Sequence, residues 1–405
     1  MNLRGLIFGA VSFSLVSTSW SASAPAVLKD AFKDIFPIGA AVNRSMVTGS
    51  AGFRRTAEEN EKDTTLLKEQ FNQISPENDL KWQLVHPREG LGGYDFGPAD
   101  AFVNFGSSNN MYVVGHTLVW HSQTPNWVFA GTNPPPAKEA SDITLTNQPA
   151  ARRFGGFGRY DGPRASREEL LQRMHDHIQT VVGRYKGKIK CWDVVNEAIA
   201  DGPGTNIFRN SLWFEIIGPD FIAKAFQFAH DADPGAILRY NDYGLENPVK
   251  RKKLIALIKS LQEQKVPIHA IGSQAHLNVS MTFDTMDQTL TELATLGLPI
   301  HITELDVNSA VAGQRGFGAE ISNNAATTQG GLIDDANKKL AETYGAIFRA
   351  FVRHRDSVKL VTFWGVNDAV SWRAQGKPLL FDGDNKPKAA FDTVLTEAQQ
   401  QLNRN

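Results

Sequence analysis

The chain has 405 residues, 41% hydrophobic and 10% aromatic, and its 42 basic against 43 acidic side chains leave a formal charge of −1. That size suits one large globular unit or two modest ones, and the balanced charge excludes the basic field that a nucleic acid requires. Cys191 is the single cysteine, so no internal disulfide is available and a large apolar core must hold the fold. Its apolar neighbours point to a buried thiol behaving as a small hydrophobe.

In chain order, Met1-Asn2-Leu3-Arg4 and the apolar, small-residue run Gly5 to Val16 have the charged and hydrophobic regions of a secretory signal. Small residues at Ala22, Ala24 and Ala26 then permit cleavage. Residues 1–26 are therefore expected to be a leader, cut between 22 and 26, with 27–405 forming one domain that is exported, either secreted or periplasmic. The apolar run is too short to span a bilayer, and no other segment has a membrane-length apolar stretch.

Beyond the leader, short β-branched runs alternate with longer helical patterns. Strands are expected at Ile38 to Val42, Asn72 to Ser75, Tyr112 to His116, Ile189 to Asn196, Ile237 to Asn241, Ala270 to His276, Ile300 to Thr303 and Leu360 to Trp364. Several are apolar with little polar alternation, as strands covered on both faces must be. Helices are expected near Asp63 to Gln70, Asp100 to Asn109, Arg167 to Tyr185, Phe221 to Ala232, Phe283 to Thr295, Asp334 to Arg355 and Ala389 to Leu402. One more follows Asn247-Pro248, a cap and a first-turn proline, with Leu254, Leu257, Ile258 and Leu261 spaced i, i+3, i+4, i+7. The alternation predicts an α/β fold, a closed (β/α)8 TIM barrel or an open doubly wound sheet.

Polar residues decide between the two. Glu77 and Asn78, His116, Asn196 and Glu197, Asn241, Gln274 and His276, Glu304, and Trp364 each stand at or just past the end of a different strand. A site fed from so many strands needs a ring, and no Gly-x-Gly-x-x-Gly turn marks a dinucleotide crevice. Two long loops, 128–165 and 308–331, interrupt the spacing as insertions in the single domain; loops of that length usually carry function or are disordered.

Two of the strand-end residues are glutamates, the minimum equipment for cleaving a glycosidic bond: one carboxyl protonates the leaving oxygen while the other attacks or stabilises the sugar cation. Ile300, Ile302, Glu304 and Asp306 share a parity along an extended chain, which sends Glu304 toward the axis. Gln274 and His276 share a parity on the preceding strand. A histidine bonded to both Asp306 and Glu304 suits an ionised nucleophile. Glu197 has Asn196, Trp192 and the Val194-Val195 pair upstream and no adjacent cation, a desolvated setting that suits a proton donor, with Asn196 placed to bond a sugar 2-hydroxyl. Trp82, Trp120, Trp127, Trp364 and Trp372 fall in loop or strand-end segments beside polar residues, as in a carbohydrate cleft. Two rival classes were weighed. A zinc hydrolase using His116, His121, His276, His301, Glu304 and Asp306 is disfavoured by the parity difference between His301 and Glu304 and by the lack of a His-Glu-x-x-His helix. A non-catalytic sugar-binding protein is disfavoured because both glutamates stand with their supporting groups.

These residues form an ordered set: Ser75-Pro76-Glu77-Asn78, the His116 to Trp120 block with Gln123-Thr124-Pro125, Trp192 to Glu197, Tyr240-Asn241-Asp242-Tyr243, Gln274-Ala275-His276, Ile302-Thr303-Glu304-Leu305-Asp306, and Trp364. The set resembles glycoside hydrolase family 10, the retaining endo-1,4-β-xylanases built on a (β/α)8 barrel, from about Ile38 to the C-terminus. The resemblance implies Glu197 as acid/base and Glu304 as nucleophile, supported by His276 and Asp306. It further implies sugar contacts for Glu77, Asn78, Lys81, His116, Trp120, Asn196, Gln274, Trp364 and Trp372. Expected partners are xylan and xylo-oligosaccharides, with no nucleic acid, no metal and no cofactor, acting on a monomer. A related retaining β-glycanase of mixed xylan and β-glucan specificity is the alternative, and Trp364 and Trp372 are the expected wall against the C6 hydroxymethyl group of glucose.

Overall fold

The computed structural model describes residues 27–52, 54–131, 160, 162–309 and 333–402. The expected leader 1–26 and most of both long loops lie outside the described residues. Among those described, no helix is long and apolar enough to cross a membrane.

Among the described residues nine parallel strands are present: β1 Ile38–Val42, β2 Gln73–Pro76, β3 Tyr112–Trp120, β4 Cys191–Asn196, β5 Ile237–Asp242, β6 Ala270–Ser273, β7 His276–Asn278, β8 Ile300–Asn308 and β9 Val358–Phe363. Neighbours pair in sequence from β1 to β6; β6 then pairs with β8, β8 with β9, and β9 returns to β1 with Gly39 opposite Thr362. The result is the expected closed (β/α)8 barrel. Strand β7 is an extra segment on its rim that pairs only with the end of β8.

Helices alternate with the strands because the intervening sequence stops and starts them. Thr56 with Glu59 and Ser166 with Glu169 form capping boxes on helices Ala57–Gln70 and Arg167–Arg184. Asn247 caps Pro248–Glu263 by accepting from the Val249 N–H, and Leu254, Leu257, Ile258 and Leu261 all turn inward as their spacing predicts. The main core lies between the helices and the outer face of the barrel.

Inside the barrel, residues stack in layers contributed by alternating strand positions. Val114, Cys191 and Leu360 form a small separate apolar cluster at the lower end. Above them the interior turns polar. Asp193 on β4 accepts two bonds from the Arg239 guanidinium on β5, at 2.7 and 3.0 Å, and one from His116 Nδ1 at 3.0 Å. Arg239 also donates to His301 Nδ1 on β8 at 3.0 Å. Burial works against the Asp193 charge, but Arg239 and His116 outweigh it and hold the carboxyl at about 2. This buried ion pair is the platform on which the upper layer stands.

Two departures from regular strands shape that upper layer. The predicted strand Ala270 to His276 breaks around Ala275, which adopts a left-handed conformation, φ 56°, so β6 ends at Ser273 and His276 opens the next segment. On β8 the register against β9 shifts between Ile302 and Leu305. Thr303 and Glu304, adjacent in sequence, consequently both reach the Asn241 side chain. The strict parity expected for Ile300, Ile302, Glu304 and Asp306 does not hold: His301 and Thr303 face inward below the irregularity, and Glu304 faces inward above it. The parity argument separating His301 from Glu304 fails for the same reason.

Candidate active site

Glu304 sits within β8, 5% exposed. Its Oε1 accepts from Asn241 Nδ2 at 2.8 Å, and its Oε2 lies 3.2 Å from His276 Nε2. The other ring nitrogen of His276 is 3.0 Å from Asp306 Oδ2, and the two residues are direct cross-strand partners of β7 and β8. Burial alone would deprotonate His276, but Asp306 and the bond to Glu304 hold the ring charged, up to about 9. Asp306 also accepts from Trp372 Nε1 and from Arg373, both at 2.8 Å. Burial would raise Glu304 as well; the hydrogen bond and charge of His276 bring it below the ordinary carboxylate value, so Glu304 is ionised at neutral pH. The expected triad of Glu304, His276 and Asp306 is assembled.

Glu197 follows β4 directly and is 6% exposed. Its Oε2 accepts from the Trp120 indole at 2.9 Å and its Oε1 from Gln274 Nε2 at 3.0 Å, with His121 Nε2 at 3.9 Å. Burial drives His121 down to about 3, assisted by the charge of Arg209, so the ring is neutral. Glu197 itself has φ 57°. A left-handed non-glycine residue costs roughly 1–3 kcal/mol and persists only where its surroundings impose it. Here the backbone N–H donates to Asn241 O at 2.9 Å.

Asn196 links the two carboxylates. Its oxygen accepts from Asn241 Nδ2 at 2.9 Å and Gln274 Nε2 at 3.2 Å. Those amides must present N–H groups to Glu304 and Glu197, which fixes the oxygen of Asn196 as the atom facing them. Its amide nitrogen has no acceptor among the described residues and lies 3.3 Å from the Trp120 indole nitrogen. Asn241 fits because its β6 neighbour is Gly272, where a Cβ would stand 2.3 Å from Asn241 Oδ1.

Lys81, Asn78 and Glu77 follow β2 on the same rim. Lys81 Nζ donates to Asn78 Oδ1 at 3.0 Å and lies 5.0 Å from the centre of the Trp120 ring. Burial lowers the ammonium, while Glu304, Glu77 and Glu197 act to keep it charged. Burial raises Glu77 to about 7, against the pull of Lys81. His116 packs edge-on to Trp364 at 5.4 Å, and His276 to Trp372 at 5.0 Å. All thirteen residues expected at the site are thus placed around one rim of the barrel: Glu77, Asn78, Lys81, His116, Trp120, Asn196, Glu197, Gln274, His276, Glu304, Asp306, Trp364 and Trp372.

Two expected aromatic platforms belong elsewhere. Trp82 is 2% exposed and stacks on His177 at 3.7 Å, and Trp127 packs edge-on to Trp82 and His86. They form part of an aromatic stack behind the rim. Sequence reasoning assigned no role to Asn241, Asp193, Arg239 or Arg373. Asp193 carried a signal, a charge inside the otherwise apolar run Cys191 to Val195, and Asn241 carried one as a strand-end polar residue in Tyr240-Asn241-Asp242-Tyr243; Arg239 and Arg373 carried none. His121 is the neutral ring described above, and burial together with the Arg239 charge pushes His301 down to about 3, so it is neutral as well. No group of three or more His, Cys, Asp and Glu residues is arranged to hold a metal ion among the described residues.

Glycosyl hydrolase family 10 matches residues 27–397. The chain belongs to glycoside hydrolase family 10. A beta-1,4-xylanase of Dictyoglomus thermophilum is 37% identical over 91% of this chain and 90% of its own length. An endo-1,4-beta-xylanase of Geobacillus stearothermophilus is 38% identical over 91% of this chain and 97% of its own. The structure of a family 10 endoxylanase from a sugarcane soil metagenome superposes with a TM-score of 0.75 at 37% identity, covering 92% of this chain and 99% of the other.

Proposed function

We propose that this glycoside hydrolase is a retaining endo-1,4-β-xylanase in which Glu304 is the nucleophile and Glu197 the acid/base. The observation that carries the assignment is the difference between the two carboxylates. Glu304 faces a charged imidazole that keeps it ionised. Glu197 faces only neutral donors, an indole and an amide, with a neutral imidazole nearby. In the first step a Glu304 oxygen bonds to the anomeric carbon as the C–O bond to the leaving sugar breaks, and Glu197 delivers its proton to the departing oxygen. In the second step Glu197 takes a proton from water, whose oxygen bonds to the same carbon and releases Glu304. Two inversions at that carbon leave the product with the β configuration of the substrate.

Support for xylan as substrate comes from the names of the similar proteins and from Trp364 and Trp372, which stand beside His116 and His276 where they can wall off a C6 substituent. The test combines stereochemistry, mutation and substrate choice. Proton NMR of xylan hydrolysis should show the β anomer first. Glu304→Gln and Glu197→Ala should abolish xylan cleavage with the fold intact, and EDTA should have no effect. Matched aryl xylobiosides should be turned over faster than aryl cellobiosides, with the gap narrowed in Trp372→Ala. Initial release of the α anomer, or activity surviving both glutamate substitutions, would overturn the mechanism; equal turnover of the two aryl glycosides would favour mixed xylan and β-glucan specificity.

A further inference from the structure

The peptide group joining Glu197 to Ala198 is gripped on both edges by side chains that never reach the carboxylates. Its carbonyl, the Glu197 O, accepts from Arg209 Nε at 2.7 Å, and its N–H, on Ala198, donates to the Tyr240 hydroxyl at 2.9 Å. One residue on, the Ile199 N–H donates to Asp242 Oδ2, which also accepts from Tyr240. Glu197 has its φ in the left-handed region, and the direction in which its side chain leaves Cα follows from where its N–H, bonded to Asn241 O, and its carbonyl, bonded to Arg209, are held relative to one another.

Arg209 is itself built in. Its guanidinium donates to Asp201 Oδ2 at 3.0 Å and to the Tyr243 hydroxyl at 2.8 Å. Asp201 is held by Lys250 at 2.9 Å, and Lys250 also pairs with Asp242 at 2.8 Å. Backbone bonds from Arg209 N to Ala198 O and from Ala200 N to Ile207 O close the segment into a short loop folded back on β4. The Arg209 side chain is only 19% exposed, its guanidinium is held by three partners, and Tyr243 and Asp201 sustain its charge against burial.

We propose that Arg209 is a positioning residue for proton transfer: by holding the carbonyl of Glu197 it fixes the strained backbone that aims the Glu197 carboxyl at the glycosidic oxygen. This rests on the reading of Glu197 as acid/base. Loss of the grip lets the Glu197–Ala198 peptide rotate, which displaces the proton donor while leaving Glu304, His276 and Asp306 untouched. The defect must therefore scale with how much the leaving group needs a proton.

The experiment measures kcat/KM of the full chain on aryl β-xylobiosides whose leaving groups span 2,4-dinitrophenol to unsubstituted phenol, in wild type, Arg209→Met, Arg209→Lys and Glu197→Ala. An imperfectly aimed donor should lower kcat/KM by about 10- to 100-fold on the phenyl glycoside and by less than about threefold on the dinitrophenyl glycoside. Arg209→Lys keeps the charge and one donor, and is expected to show the same trend at smaller amplitude. It carries the test if Arg209→Met fails to fold by circular dichroism. Equal loss across all leaving groups, or no loss, in a folded Arg209 variant would overturn the inference. Glu197→Ala separates the two readings: a steep leaving-group dependence there with a flat one at Arg209 refutes only the positioning role, whereas a flat dependence in Glu197→Ala refutes the acid/base assignment itself.

Discussion

Replacing His276 with glutamine tests the electrostatics of the site most directly. His276 Nε2 stands 3.2 Å from Glu304 Oε2, and the ring is charged because Asp306 and Glu304 together hold it up to about 9. At an effective dielectric of about 20, unit charges at that separation attract by about 5 kcal/mol. Only part of this acts on Glu304. The same imidazolium is shared with Asp306 at 3.0 Å, and Asn241 continues to donate to Glu304 in the variant. An opposite charge at such range lowers a carboxyl, so removing it here should raise Glu304. Because Glu304 must be ionised to attack, the acidic limb of the kcat/KM profile on an aryl xylobioside should move to higher pH while the basic limb stays. The sign of the stability effect is opposite to that of a carboxylate. The folded value of His276 lies above its ordinary 6.5, so its contribution is complete below pH 6.5 and is lost as pH rises toward about 9. The wild type should therefore lose stability over that alkaline window, and His276→Gln should not. An acidic limb that does not move in a folded His276→Gln would refute the claim that this ring keeps Glu304 ionised.

The platform beneath the site gives a second expectation. Asp193→Asn leaves the Arg239 guanidinium, 2% exposed, without its counter-charge, and should destabilise the barrel by about 3–5 kcal/mol in denaturant unfolding; a loss below ~1 kcal/mol would contradict the ion-pair account. Because Asp193 is held at about 2, below its ordinary 3.8, its contribution is present above pH 3.8 and is lost only as pH falls toward about 2. Cys191 supplies a third. Burial pushes the thiol up to about 12, and the side chain is fully enclosed, so a disulfide reagent at pH 8 should release no thiolate signal until denaturant is added. Stoichiometric reaction of the native protein would place the residue outside the closed lower end of the barrel.

Local chemistry reached the outline of this protein. Apolar strands covered on both faces, the Asn247-Pro248 cap and the Leu254 to Leu261 spacing are properties of short windows, and the helices and strands they predict are present, although the helix expected at Asp63 begins at Ala57 and the strands expected to end at His116 and Thr303 run on to Trp120 and Asn308. The strand-end motifs were legible for a related reason. In a parallel barrel every strand delivers its last residues to the same rim, so chain position alone tells which polar groups will meet.

What no window contained was the detail that makes the groups work together. The break at Ala275 and the irregularity in β8 come from fitting His276 against Asp306 and Glu304 beside Asn241, and a strict alternation argument therefore misassigned the face of His301. Trp82 resembled a cleft aromatic by its polar neighbours, yet His177, distant in sequence, covers it. The Asp193 and Arg239 pair and the Arg209 grip join elements whose separation no local pattern encodes. By itself the sequence determined the number and kind of elements, their order around a ring and the pair of glutamates at its mouth, because those follow from periodicity, capping and strand direction. Only the tertiary structure decided what lies beneath the two glutamates, which amides and indole bond them and how their backbones are held, because each depends on side chains brought together across the closed barrel.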